Sequence, residues 1–139
     1  MNICINGSRS FNDSDFMVDK LNWLMDNNYL PHESNWVFIL GGAVGADTLA
    51  SELAVENNIP YIMKKANWEK YGKSAGYIRN NDMLNISDAL VSFWDGESKG
   101  TIHMVNISNQ AGIPVYLFNT KLNKTVIYKN GIEVWSDYD

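Results

Sequence analysis

Short, predominantly apolar runs alternate along this chain with segments of helical periodicity, and each run stops at glycine or polar residues. The runs are Asn2 to Asn6, Trp36 to Leu40, Tyr61 to Lys64, Ala89 to Trp94 and Val115 to Phe118. A strand that is apolar without alternation has both faces buried, which is the mark of a parallel sheet covered by helices on both sides. The intervening helices are expected from about Asp13 to Asn27, Ala46 to Glu56, Ser74 to Asn85 and Thr101 to Gln110. In the first, Phe16, Val18, Leu21, Trp23, Leu24 and Met25 recur at roughly helical spacing. Asp13 or Ser14 suits its N-cap, and Gly112 suits the C-terminus of the last. Lys65 to Lys73 reads as an irregular loop. Thr125 to Tyr128 and Ile132 to Trp135, joined through Lys129-Asn130-Gly131, read as a β-hairpin on an Asn-Gly turn.

The expected fold is therefore α/β: a Rossmann-like three-layer sandwich with a parallel five-stranded sheet, helices on both faces and a C-terminal hairpin. Residues 1–119 form the ligand-binding domain of this reading and 120–139 the hairpin extension. The 139 residues leave room for a single ordinary domain, and a 45% hydrophobic content excludes a disordered chain. Cys4, the only cysteine, has no internal disulfide partner and lies in an apolar run, where it reads as a buried small hydrophobe. The N-terminus has no basic, apolar signal pattern, and no apolar run approaches the ~20 residues of a membrane span. A cytoplasmic protein without membrane contact is expected. The net charge of −5 argues against a nucleic-acid partner, although Lys64, Lys65, Lys70, Lys73 and Arg79 cluster locally and suit a small anion.

Right-handed crossovers place the loops after all parallel strands on one sheet edge, where ligands of open α/β sheets sit. The polar, glycine-rich segments are those loops. Gly41-Gly42-Ala43-Val44-Gly45-Ala46-Asp47 ends a strand and opens a helix. Its glycines would let backbone approach a ligand, and the helix N-terminus offers N–H groups to an anion. It fits neither the dinucleotide fingerprint nor the P-loop, and a plain tight turn with Asp47 as helix cap is the alternative. Asp95-Gly96-Glu97-Ser98-Lys99-Gly100-Thr101 repeats the arrangement and adds two hydroxyls and a lysine; a solvated turn is the alternative. Arg9, in Gly7-Ser8-Arg9, and Arg79, followed by Asn80, could each hold a phosphate bidentately or serve as surface ion-pair residues. Trp68 and Tyr71 either stack on a base or pin their loop. His32 and His103 lack ligand-like spacing, so neither a metal nor a resident cofactor is expected.

Taken in order, Gly7-Ser8-Arg9, Gly41-Gly42-Ala43-x-Gly45-Ala46-Asp47-x-x-Ala50, Ala66-x-Trp68-x-x-Tyr71-Gly72-Lys73-x-Ala75-Gly76-x-x-Arg79-Asn80-x-x-Met83 and Phe93-Trp94-Asp95-Gly96-x-Ser98-x-Gly100-Thr101 resemble the YspA-like group of the SLOG superfamily. The resemblance runs from about Ile3 to Phe118 and stops before the hairpin. It implies a Rossmann-like domain related to the Lonely-guy phosphoribohydrolases, the DNA-processing protein A family and sensors of nucleotide derivatives such as ADP-ribose-like signals. It also implies that Arg79 and Gly96 to Thr101 hold a ribose-phosphate, and, since such domains are often dimeric, a homo-oligomer. The five tryptophans and seven tyrosines point the same way. The hydrolase branch carries a glutamate three residues beyond the threonine, and here that position is Met104. A thioether is neither acid nor base. The expected function is binding of a nucleotide-like molecule as a sensor or sequestering module. A phosphoribohydrolase-like activity using Asp47, Asp95 or Glu97, and a nucleic-acid-handling role, are the alternatives.

Overall fold

A computed structural model describes residues 1–138. Strands β1 (Asn2–Gly7), β2 (Val37–Leu40), β3 (Tyr61–Met63), β4 (Ala89–Trp94) and β5 (Val115–Asn119) pair in parallel, and β6 (Lys124–Lys129) and β7 (Ile132–Ser136) follow antiparallel. All seven make one sheet in the order β3-β2-β1-β4-β5-β6-β7. The sheet is thus mixed and larger than the five parallel strands expected. The hairpin hydrogen-bonds along β5 and lengthens the sheet. Its Asn-Gly turn has Asn130 and Gly131 at φ 53° and 74°, the left-handed pair that such a turn requires.

The helices are α1 (Ser14–Asp26), α2 (Ala46–Glu56), α3 (Trp68–Tyr71), α4 (Ala75–Asn85) and α5 (Lys99–Ala111). The sheet has a core on each face because successive strand residues point to opposite sides. On one face Ile3, Ile5, Phe38, Leu40, Val91 and Phe93 meet Met17, Leu21 and Leu24 of α1 and Ala46, Ala50 and Ala54 of α2. On the other, Cys4, Ile39, Leu90, Val115 and Leu117 meet Met83 of α4 and Met104 and Val105 of α5. Cys4 is buried and its thiol is pushed far above the ordinary range by that burial, so it packs as an apolar group.

Three short helical features were not expected. Residues 65–73, read as a loop, contain α3, whose N-cap Asn67 accepts the Lys70 N–H at 3.0 Å through Oδ1, and then a 3₁₀ turn at Gly72–Ser74. A second 3₁₀ turn covers Glu33–Asn35. Strand order reverses between β1 and β4, whose C-terminal ends lie in register at Gly7 and Phe93. Chain leaving these two strands goes to opposite faces, and the crevice between them is where open α/β sheets receive ligands.

Candidate functional site

A cleft of about 510 Å³ opens at that crevice, within the ~300–1,000 Å³ usual for small-molecule sites. Four loops build it, and most expected site residues meet there. Gly7 and Arg9 come from the β1 loop and Asp47 from the start of α2. Trp68, Lys73, Arg79 and Asn80 come from the α3–α4 segment, and Asp95, Ser98, Gly100 and Thr101 from the β4 loop and α5. Asn6, Ser10, Ala43, Gly76, Tyr77 and Met83 also line it. Ala43, Gly76 and Met83 stand in the motifs quoted above, whereas Asn6, Ser10 and Tyr77 carry no motif-like signal: Asn6 lies inside a strand, and Tyr77 reads as an ordinary exposed helix residue.

Ser8, Gly41, Gly42, Gly45, Gly96 and Glu97, also expected at the site, do not line the cleft. Ser8 is buried, and its Oγ accepts the Asp95 N–H at 2.9 Å, which ties the β1 loop to the β4 loop. Gly45 has φ 86°, and a Cβ there would collide with the backbone carbonyls of Ser8 and Arg9. A Cβ on Gly41 would lie 2.7 Å from Nη1 of Arg79. These glycines let the protein's own loops approach each other, whereas the sequence reading had them admit a ligand. Gly100 differs: a Cβ there would meet nothing within 4 Å, and it lines the cleft in the first turn of α5.

The N-terminus of α5 faces the cleft. Ser98 is its N-cap with no side-chain cap bond, so the first N–H groups lack intrahelical partners and carry the positive end of the helix dipole. The Ser98 and Thr101 hydroxyls lie 3.0 Å apart. Asp95 folds this loop: its Oδ1 accepts the N–H groups of Glu97 and Ser98, each at 2.8 Å, and these bonds hold its carboxyl below the ordinary range. Glu97 is exposed and pairs at 3.7 Å with Lys121, away from the cleft. That is the one ion pair among the described residues, so neither Arg9 nor Arg79 is neutralised by a carboxylate contact.

Arg79 donates through Nη1 to the Gly41 carbonyl and through Nε to Asn80 Oδ1 at 3.2 Å, leaving three of its five N–H groups. Asn80 is buried, and its Nδ2 donates to the Gly100 carbonyl at 3.2 Å and lies 3.0 Å from His103 Nδ1. The Asn80 amide nitrogen can only donate, so His103 Nδ1 accepts, and burial pulls the His103 pKa down. Asp47 is buried, and its Oδ2 accepts the Ala43 N–H at 3.0 Å, so it braces the glycine-rich loop; the α2 N-cap is Gly45, without a side-chain cap bond. Burial pushes the Asp47 carboxyl up to about 6, against the pull of that N–H and of the Arg79 charge. Met104, three residues beyond Thr101, is wholly buried in the core on the second face. Among the described residues no acidic, histidine and cysteine group could hold a metal, and no helix is long and apolar enough to cross a membrane.

A Rossmann-like three-layer domain with an arginine-bearing cleft at the strand-order switch is the class of protein these features define. The chain belongs to the YspA, cpYpsA-related SLOG family (YAcAr), whose sequence model matches residues 1–71, including Gly7-Ser8-Arg9 and Gly41 to Asp47. It is 34% identical over 131 residues to the Gene 61 protein of Mycobacterium phage D29, covering 86% of this chain and 97% of that protein. Its fold is similar to that of DNA processing protein A (DprA) from Streptococcus pneumoniae, with a TM-score of 0.64 at 16% identity over 84% of this chain. The chain spans about half the length of that protein.

Proposed function

We propose that this protein is a binding module for a nucleotide-derived small molecule whose phosphate or ribose-phosphate sits at the N-terminus of α5. The observation that carries the reading is the convergence of that helix end, the Ser98 and Thr101 hydroxyls and two arginines without carboxylate partners on one cleft. A helix N-terminus attracts anions through its free N–H groups and its dipole, and arginine adds a planar fork that suits phosphate. The burial of Met104 in the core supports a sensor or sequestering role over hydrolysis. Membership in a SLOG family and the net charge of −5 favour a small molecule over a nucleic-acid backbone.

The test is a thermal-shift panel of ribose 5-phosphate, nucleoside 5′-monophosphates and ADP-ribose. A ligand that binds only the folded chain raises its stability, by roughly 2.7 kcal/mol at a hundred times its Kd. Stabilisation by phosphate-bearing members, and none by the corresponding nucleosides, is expected. A flat response to the whole panel at millimolar concentration removes the reading.

Asp47 supports a second reading, cleavage of an N-glycosidic bond, because it is a cleft carboxyl with a pKa of about 6, within the range of acid–base chemistry at neutral pH. Free base released from nucleoside monophosphates by the wild type, and not by Asp47→Asn, carries that reading; no release by either chain removes it.

A further inference from the structure

We infer that the α3–α4 wall of the cleft is a base-binding subsite, in which Trp68 and Tyr77 take the planar face of an aromatic base attached to the phosphate-bearing ligand. This deepens the reading above and rests on it.

Trp68 is 54% exposed and Tyr77 47% exposed, yet both line the cleft whose other wall is the α5 N-terminus. Large rings left open to water at a polar, glycine-rich cleft are the two-sided arrangement that a nucleotide fits: phosphate on dipoles and arginine at one end, a π-face on aromatic rings at the other. Both rings are placed before any ligand arrives. The Trp68 indole packs over Gly76, where a Cβ would lie 3.5 Å from its outer carbon, so the first turn of α4 supports the ring without a side chain in between. Glycine inside a helix costs about 1 kcal/mol relative to alanine, and here it keeps the surface under Trp68 flat. Asn67 caps α3 and fixes the backbone that carries Trp68.

Tyr77 rests on His103, with ring centroids 4.4 Å apart and planes tilted by 44°. His103 is held in turn by Asn80, which also holds the Gly100 carbonyl in the first turn of α5. One buried asparagine therefore braces both the base wall and the phosphate turn. Such pre-organisation lowers the ordering cost of binding. Stacking on aromatic side chains tolerates any base, and purines, with the larger face, gain most.

The inference is tested by isothermal titration of the full chain with ribose 5-phosphate and with AMP, GMP, CMP and UMP. The expected result is that AMP and GMP bind about tenfold or more tightly than ribose 5-phosphate, the range that one stacked base provides. Trp68→Ala and, separately, Tyr77→Ala reduce that ratio severalfold, with nucleotide affinity falling further than ribose 5-phosphate affinity. Arg79→Ala weakens sugar phosphate and nucleotides alike. Trp68→Phe retains part of the ratio and loses part of the ligand-induced change in tryptophan fluorescence. Equal affinity of wild type for ribose 5-phosphate and all four nucleotides overturns the base subsite and leaves the phosphate reading standing. So does a Trp68→Ala chain that loses both ligand types in proportion. If ribose 5-phosphate and every nucleotide fail to bind, the phosphate reading falls and the base subsite with it.

Discussion

Arg79 is tied to the fold by two hydrogen bonds and to the cleft by the N–H groups that remain. Its loss is therefore expected to show in two measurements. Removing a charge-assisted bond to phosphate costs about 1.5–3 kcal/mol, so Arg79→Ala should weaken ligand binding roughly ten- to a hundredfold by calorimetry. Its bond to the Gly41 carbonyl is part-buried, so stability in urea should also fall, by about 1 kcal/mol. Arg79→Lys should recover part of the affinity, since a point charge lacks the planar fork. An Arg79→Ala chain that loses stability but keeps its affinity would make Arg79 structural alone. Asp47 gives a prediction in pH. Its folded-state pKa of about 6 lies above the ~3.9 of an unfolded aspartate, so between these values the native state holds the extra proton. Stability then falls as pH rises through that window, and the penalty is complete above pH 6. Relative to Asp47→Asn, the wild type should lose up to about 3 kcal/mol between pH 4 and pH 7 in urea titrations. A wild type that gains on the variant as pH rises would mean that the Ala43 N–H and Arg79 outweigh burial. At this scale the sequence was legible in residue type and not in role. Gly41 and Gly45 were recognisable as loop glycines, but the groups they make room for, Arg79 and the Ser8 and Arg9 carbonyls, lie far along the chain or in another loop.

Among the elements, α5 carries most of the proposed chemistry, and Gly100 separates its structural from its binding role. Nothing in the fold requires glycine there, since a Cβ would meet open space. Alanine favours a helix over glycine by up to about 1 kcal/mol. Gly100→Ala is accordingly expected to raise the unfolding midpoint and to weaken phosphate-bearing ligands, a combination that a merely structural glycine does not produce. A variant that is both less stable and unchanged in affinity would count against close ligand approach at this turn. The long elements were readable because their patterns are local: Ile3, Cys4 and Ile5 are buried on both faces as an unbroken apolar run requires, and α2 begins at Ala46 and ends at Glu56 as its spacing indicates. The helix α3 was not, because one turn is too short for periodicity and depends on the Asn67 cap. Trp68 on that turn was still recognisable as a candidate to stack on a base; Tyr77, on α4, was not, because nothing local in the sequence brings it to the same cleft.

For the molecule as a whole, the hairpin is the part whose place the sequence did not convey. An Asn-Gly turn between two strand patterns specifies a hairpin and says nothing of where it docks. In the structure β6 pairs along all of β5, and Ile127 enters the same core as Ile3 and Phe118. A chain ended at Asn119 would leave β5 as an open apolar edge. We expect residues 1–119 alone to lose the cooperative unfolding transition and to aggregate; a soluble 1–119 fragment with the full chain's thermal midpoint would contradict this. The outer strand β7 exposes Ile132 and Val134; if a homo-oligomer forms through them, Ile132→Glu lowers the mass read by light scattering, and an unchanged mass contradicts that interface. The motifs of four loops were legible as one sheet edge because parallel topology leaves them no other place. The central claim, that this edge receives a phosphate at the start of α5, is tested most directly by a ¹⁵N-resolved NMR titration with AMP. The largest amide shifts should fall on Lys99, Gly100 and Thr101, with a second group at Gly7, Ser8 and Arg9. Saturable shifts centred on other residues, with these six unmoved, would contradict it.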